Sequence, residues 1–154
     1  MTHTWLNKFV TESNKIEGII RSPWADELAA HMTLLETAHL TIADLQNFTS
    51  IIAPGHKLRN EPGLNVRIGE YIPPEGGHGV RDGLELLLTI KPLSPFKLHC
   101  DYELLHPFTD GNGRSGRALW LWSLSRYWAR EYLRAQQLGF LHTFYYQTLS
   151  SLLE

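Results

Sequence analysis

One cysteine, Cys100, is all the thiol this 154-residue chain carries. A single thiol closes no intrachain disulfide, so the fold must rest on its apolar core, and a reducing, cytoplasmic setting is expected. Long hydrophobic runs are missing as well. None reaches the ~18 residues a membrane span needs, and residues 1–8 are too polar for the core of a signal peptide, so no membrane partner is expected. Charge of one sign is scarce: 14 Lys and Arg stand against 16 Asp and Glu, for a formal −2. Nothing draws the whole surface toward nucleic acid, and no nucleic-acid partner is expected. The paired Cys/His spacing of a zinc site is also lacking, since His99, Cys100 and His106 do not provide it. His99 and Cys100 read instead as packing residues on a helix. Internal repeats, low-complexity runs and a clear linker are absent. What is present is a chain 43% apolar and 19% charged, of a length that suits a single domain over residues 1–154.

The spacing of the apolar residues predicts a mostly α fold. Residues 5–17 form an amphipathic stretch with Leu6, Phe9, Val10 and Ile16 on its apolar side and Gly18 as its stop. Ser22-Pro23 reads as an N-cap with a first-turn proline, opening a helix that carries Leu28, Met32, Leu35 and His39. Thr41 and Asp44 make a capping box for the next helix, which ends before Pro54-Gly55. Residues 54–79 hold half of the prolines and glycines yet include extended segments at 65–68 and 70–72, the pattern of a small β-hairpin flap. Helices resume at 81–90 and after Ser94-Pro95, the latter running through Leu98, Tyr102 and Leu105 to His106-Pro107. From Arg114 onward the chain is apolar on nearly all faces through Leu124, as a central buried helix would be. Further helices are expected at 130–137 and 141–153. Trp120, Trp122, Tyr127 and Trp128 read as core, with a partner surface as the other reading.

The chemistry is concentrated in residues 106–117, which join two apolar helices. Pro107 cannot continue a helix comfortably and leaves His106 at a helix end. Phe108 is a hydrophobic peg for the loop. Asp110 offers a hard oxygen suited to Mg²⁺. Gly111 and Gly113 let a ligand come close to backbone amides that sit just before a helix, where N–H groups and the dipole favour phosphate. Arg114 and Arg117 lie one helical turn apart and can fork onto phosphate oxygens. A base, a metal ligand, an anion nest and two guanidinium groups in twelve residues point to phosphate-transfer chemistry.

This loop resembles the signature of the Fic family of protein-modifying enzymes, His-x-Phe-x-(Asp/Glu)-Gly-Asn-Gly-Arg-x-x-Arg, and matches it at every fixed position. The resemblance implies a single-domain Fic-type helical fold with a flap at about 60–76, and the activity of a protein adenylyltransferase. In that reading His106 is the general base for a target Ser, Thr or Tyr hydroxyl, and Asp110 holds Mg²⁺. Gly111, Asn112 and Gly113 cradle the α- and β-phosphates of ATP, Arg114 takes the β- or γ-phosphate and Arg117 the γ-phosphate. The flap registers an extended target segment by backbone pairing, with 64–68 and 71–74 as the matching stretches.

A second resemblance lies upstream. Residues 13–18, with Ser13, Glu17 and Gly18, match the family's inhibitory motif (Ser/Thr)-x-x-x-Glu-(Gly/Asn) on a helix at about 3–18. It implies that Glu17 pairs with Arg117 and holds the enzyme off. An exposed glutamate at a helix end is the plainer reading of the same residue. Three other functions stay open: removal of AMP with Glu17 positioning water, phosphoryl transfer as in Doc-like relatives, and a non-catalytic regulatory module. Assembly as a homo-oligomer and an antitoxin partner are likewise left open.

Overall fold

A computed structural model describes residues 4–138, and over them the mostly helical fold is present. Its helices are α1 (Thr4–Ile16), α2 (Ala25–Glu36), α3 (Ile42–Ile52), α4 (His78–Thr89), α5 (Pro95–Leu105), α6 (Asn112–Tyr127) and α7 (Ala129–Leu138). The helix expected at 141–153 lies outside the described residues. None of the described helices is long and apolar enough to cross a membrane.

The all-round apolar character of 118–124 has the expected consequence. Helix α6 buries every residue from Arg114 to Leu124 and packs against α1, α2, α3, α5 and α7. One side of it, through Ala118, Leu119 and Trp122, joins a core made with Leu34, Leu45, Phe48, Leu84, Leu98 and Tyr102. Its other side, through Trp120, Leu121 and Leu124, packs on Leu6, Phe9 and Val10 of α1 and Ala135 of α7. Each such side chain, fully buried, contributes about 1.5–3 kcal/mol, which is how α1 is held beside α6. The Trp-rich segment divides. Trp120 and Trp122 are core, with the Trp122 indole N–H donating to the Thr37 carbonyl at 2.8 Å, while Tyr127 is 40% exposed.

Two of the expected caps form. Thr41 and Asp44 make their reciprocal box at the start of α3, and Ser94 Oγ accepts from Lys97 N–H at 3.0 Å with Pro95 in the first turn of α5. The Ser22-Pro23 cap does not. Helix α2 starts two residues later, with Trp24 as N-cap and its amide donating to Glu27 Oε1 at 2.8 Å. That carboxylate outcompetes the serine because it also receives Arg21 and Asn14. The helix stops at Glu36, so His39 is not on it.

The flap is less regular than a hairpin. Ile68 and Tyr71 exchange both backbone hydrogen bonds at 2.9 Å around Gly69-Glu70, and that single bridge is the extent of the pairing. Glu70 belongs to the turn, and Pro73-Pro74 carry no N–H with which to extend a ladder. The other bridge is one the sequence did not announce: Leu58 pairs with Phe108, flanked by Arg59 N–H to the Pro107 carbonyl at 2.8 Å and Thr109 N–H to the Lys57 carbonyl at 2.9 Å. The start of the flap segment is therefore laced to the 106–117 loop.

Candidate active site

Helix α5 delivers His106 and then stops. His106 is its C-cap, with φ 50° and ψ 62°, the one non-glycine residue in the left-handed region among those described. Such a conformation costs on the order of 1 kcal/mol or more and persists only when its surroundings hold it. Here Arg59 Nε donates to the His106 carbonyl at 2.7 Å, and Pro107 and Phe108 are buried on the far side. Phe108 is the anchor its position implied, 1% exposed.

The turn from loop to α6 is tighter than the sequence implies. Helix α6 begins at Asn112, not after Arg114, with Gly111 as N-cap at φ 82°. A Cβ on Gly111 would lie 3.0 Å from the Ala53 methyl, so both its dihedral and its setting require glycine. The Asn112, Gly113 and Arg114 amides are thus first-turn donors, which the helix itself leaves unsatisfied. The Asn112 side chain, expected at the phosphates, is spent on the loop. It accepts from Phe108 N–H and donates to the Phe108 carbonyl, both at 2.8 Å, and is 2% exposed. Only its amide remains for an anion.

The two arginines also part company. Arg114 Nη1 donates to the Ile52 carbonyl at the end of α3 at 2.6 Å, and its Nε is buried without a partner. Its guanidinium is turned toward α3 and does not join Arg117 in a fork. Arg117, 4% exposed, is held by α1 and the residue that follows it: Nε donates to Ser13 Oγ at 2.8 Å, Nη2 to the Ser13 carbonyl at 2.9 Å and to Glu17 Oε1 at 2.7 Å. Glu17 also lies against Gly113, where a Cβ would run into its carboxylate. A residue ~100 positions distant in sequence thus sets an anion at the start of α6, the place where the helix dipole favours one. Glu17 keeps 37% of its side-chain surface, so the pair contributes about 1 kcal/mol rather than the several of a dry ion pair.

Asp110 stands at the rim, its side chain 61% exposed and 3.7 Å from His56 Nε2. A lone, accessible carboxylate beside a phosphate-favouring helix start fits Mg²⁺, which takes one or two protein carboxylates and fills its octahedron with phosphate oxygens and water. Zinc or a transition metal would ask for more: no cluster of three His, Cys, Asp or Glu side chains exists among the described residues.

Burial holds the His106 pKa below the ordinary 6.5; the Glu103 carbonyl opposes this, the Arg59 charge adds to it, and Asp110 and Glu17 oppose it. The imidazole is therefore neutral at neutral pH, as a proton acceptor must be. Two neighbours escape a reading of motifs. Glu103 has its Oε1 enclosed without a hydrogen bond, and burial raises its pKa to about 7 although 32% of the side chain stays accessible. Its place three residues before His106, in the last turn of α5, is the signal that marks it. Arg59, fully buried, is the other, and nothing in its local sequence marks it.

A family model described as "Fic/DOC family" matches residues 39–124, a stretch that takes in α3 to α5, the flap, the whole loop and α6 as far as Leu124, and that leaves out α1 with Ser13 and Glu17.

Proposed function

This chain belongs to the Fic/DOC family, and from that premise we propose that it transfers AMP from ATP to a Ser, Thr or Tyr hydroxyl of another protein, with His106 as general base and Glu17 as its brake. The observation that carries this reading is the carboxylate of Glu17 seated between Arg117 and Gly113. An anion already rests where nucleotide phosphate would bind, on the same guanidinium and the same helix start.

His106 accepts the hydroxyl proton as the oxygen forms its bond to the α-phosphorus, and the bond to the bridging oxygen breaks as pyrophosphate leaves. The half-buried ring, with Nδ1 enclosed, offers Nε2 to the substrate. General-base action contributes about 10²–10⁴-fold. The Gly113 and Arg114 amides and the Arg117 guanidinium hold phosphate oxygens, and they act without reorganising because α6 fixes them. Asp110 would hold Mg²⁺ beside the phosphates, and the ion would supply neutralisation of the nucleotide charge. Arg117 reaches phosphate only when Glu17 yields it. The target protein lies along the flap, which presents Ile68, Tyr71 and Ile72 to solvent.

The test is incubation of the Glu17→Gly protein with Mg²⁺ and ATP labelled at either the α- or the γ-phosphate. Label from the α-position on protein, lost in Glu17→Gly/His106→Ala, is the expected result. γ-Label instead assigns phosphoryl transfer. Loss of AMP from an already modified target, dependent on Glu17, assigns the reverse reaction, with the half-exposed Glu17 carboxylate orienting water.

A further inference from the structure

Arg59 is the largest charged side chain wholly withdrawn from solvent in this fold, at 0% exposure. A buried guanidinium ordinarily calls for a carboxylate, because an uncompensated interior charge is costly. Among the described residues none lies within ion-pair distance of it. Four carbonyls from three segments take its donors. Nε reaches the His106 carbonyl at 2.7 Å, Nη2 the Leu105 carbonyl at 2.9 Å, and Nη1 the Leu64 and Pro74 carbonyls at 3.1 and 2.8 Å. Leu105 and His106 close the C-terminus of α5, where the helix dipole favours a cation. Leu64 and Pro74 bracket the flap turn. The Arg59 main chain repeats the bridge, with its N–H on the Pro107 carbonyl at 2.8 Å and its carbonyl receiving the Gly77 N–H at 2.9 Å.

We propose that Arg59 is a positioning residue that locks the flap and the backbone of His106 into one rigid unit, so that a target hydroxyl registered on the flap meets the imidazole at a fixed distance. The inference rests on the reading of His106 as base and of the flap as the target's rail. Only arginine suits the place: its planar fork offers five fixed N–H donors, whereas lysine keeps the charge but reaches fewer, more closely spaced acceptors. A clamp of this kind contributes to the rate through geometry. Displacing a catalytic group by ~1 Å costs on the order of 10²-fold in rate.

The test uses Glu17→Gly as parent and compares Arg59→Lys and Arg59→Met in it. Arg59→Lys is expected to lower kcat for α-label transfer by ~10²-fold while the KM for ATP stays within about threefold, since nucleotide contacts are untouched. Amides of Gly76, Gly77 and Thr109 exchange faster in both variants. Arg59→Met, which also removes the charge, raises the pKa of the His106 imidazole read by NMR, and Arg59→Lys does not. Unchanged kcat and unchanged amide exchange in Arg59→Lys would overturn the clamp. Exchange and imidazole titration need no catalysis, so a parent that transfers nothing defeats the adenylyltransfer reading and leaves the clamp to be judged on these two. Should both variants unfold, native-state exchange on the unmutated chain decides. The flap amides and those of 105–109 opening with one free energy supports the lock, and independent opening of the flap refutes it.

Discussion

Glu17 Oε1 lies 2.7 Å from Arg117 Nη2, and Ser13 receives the same guanidinium through both its hydroxyl and its carbonyl. Because Ser13 is 1% exposed and α1 packs Leu6, Phe9 and Val10 into the core, the Ser13 half of the contact is built into the helix, while Glu17 reaches Arg117 from the exposed turn that follows it. Glu17→Gly removes the carboxylate from Arg117 and from Gly113 but leaves the α1 packing intact. With the pair worth about 1 kcal/mol, release alone raises the ATP-competent population about fivefold, and vacating the anion seat adds to that. The measurement is the initial rate of α-label incorporation at matched protein and Mg²⁺-ATP. Equal rates for the two proteins would remove Glu17 from any inhibitory role.

The acid limb of the rate profile follows from the burial of His106. Its folded pKa is below the ordinary 6.5, and in the proposed reaction the neutral ring is the base, so the reactive form dominates above that pKa and is lost as pH falls through it. For Glu17→Gly, kcat/KM for the target is expected to be level through neutrality and to decline only below about 6.5. A decline with its midpoint above that value would contradict the desolvated imidazole, and no acid limb at all would remove His106 as the base.

How much of this was legible beforehand depends on how far each relationship reaches along the chain. The α6 core was readable because a helix apolar on all faces has one destination. The loop residues His106, Asp110, Gly111, Asn112, Gly113, Arg114 and Arg117 fall within twelve consecutive positions, so their shared location needed no fold. Their individual duties did. Asn112 turns its amide back onto Phe108, and Arg114 turns to the end of α3, because each polar side chain buried by α6 must find a partner and the nearest is a backbone group. Ser22-Pro23 failed as a cap because Glu27 is held in place by Asn14, a tertiary contact that no local propensity encodes. Arg59 left no trace for the same reason: all four of its side-chain acceptors are carbonyls, which carry no residue identity.

Asn112 is expected to be a stability residue first. Its amide closes a ring on Phe108 N–H and C=O inside the protein, with both bonds at 2.8 Å. Asn112→Ala leaves a buried donor and a buried acceptor unpaired, a loss of about 1–3 kcal/mol, which lowers Tm by roughly 2–4 °C per kcal/mol at this chain length. Asn112→Asp, ionised at neutral pH, keeps the acceptor but sets a buried carboxylate against the Phe108 carbonyl, so it should be no more stable than the alanine variant. Urea unfolding with an unchanged m-value reads the loss. A variant as stable as the parent would show that solvent satisfies Phe108 and that the ring does not hold the loop.

Stability should also respond to pH through three groups that take no part in the chemistry. His31 and His99 are buried, and burial lowers both to about 4. Between that value and the unfolded 6.5 the unfolded chain binds more protons at both sites, so acidification destabilises. Glu103 runs the other way: raised to about 7 from 4.5, it binds its proton first in the folded chain, so acidification stabilises over that window. Where all three overlap the balance is two protons against one, a net loss on the order of 1 kcal/mol per unit of falling pH. Glu103→Gln removes the opposing proton, and the slope should roughly double. Unfolding free energies of both proteins at about pH 5 and about pH 6, from urea titrations, measure the two slopes. An identical slope would mean that the Glu103 carboxyl stays ionised in the folded protein, with Arg117 prevailing over burial.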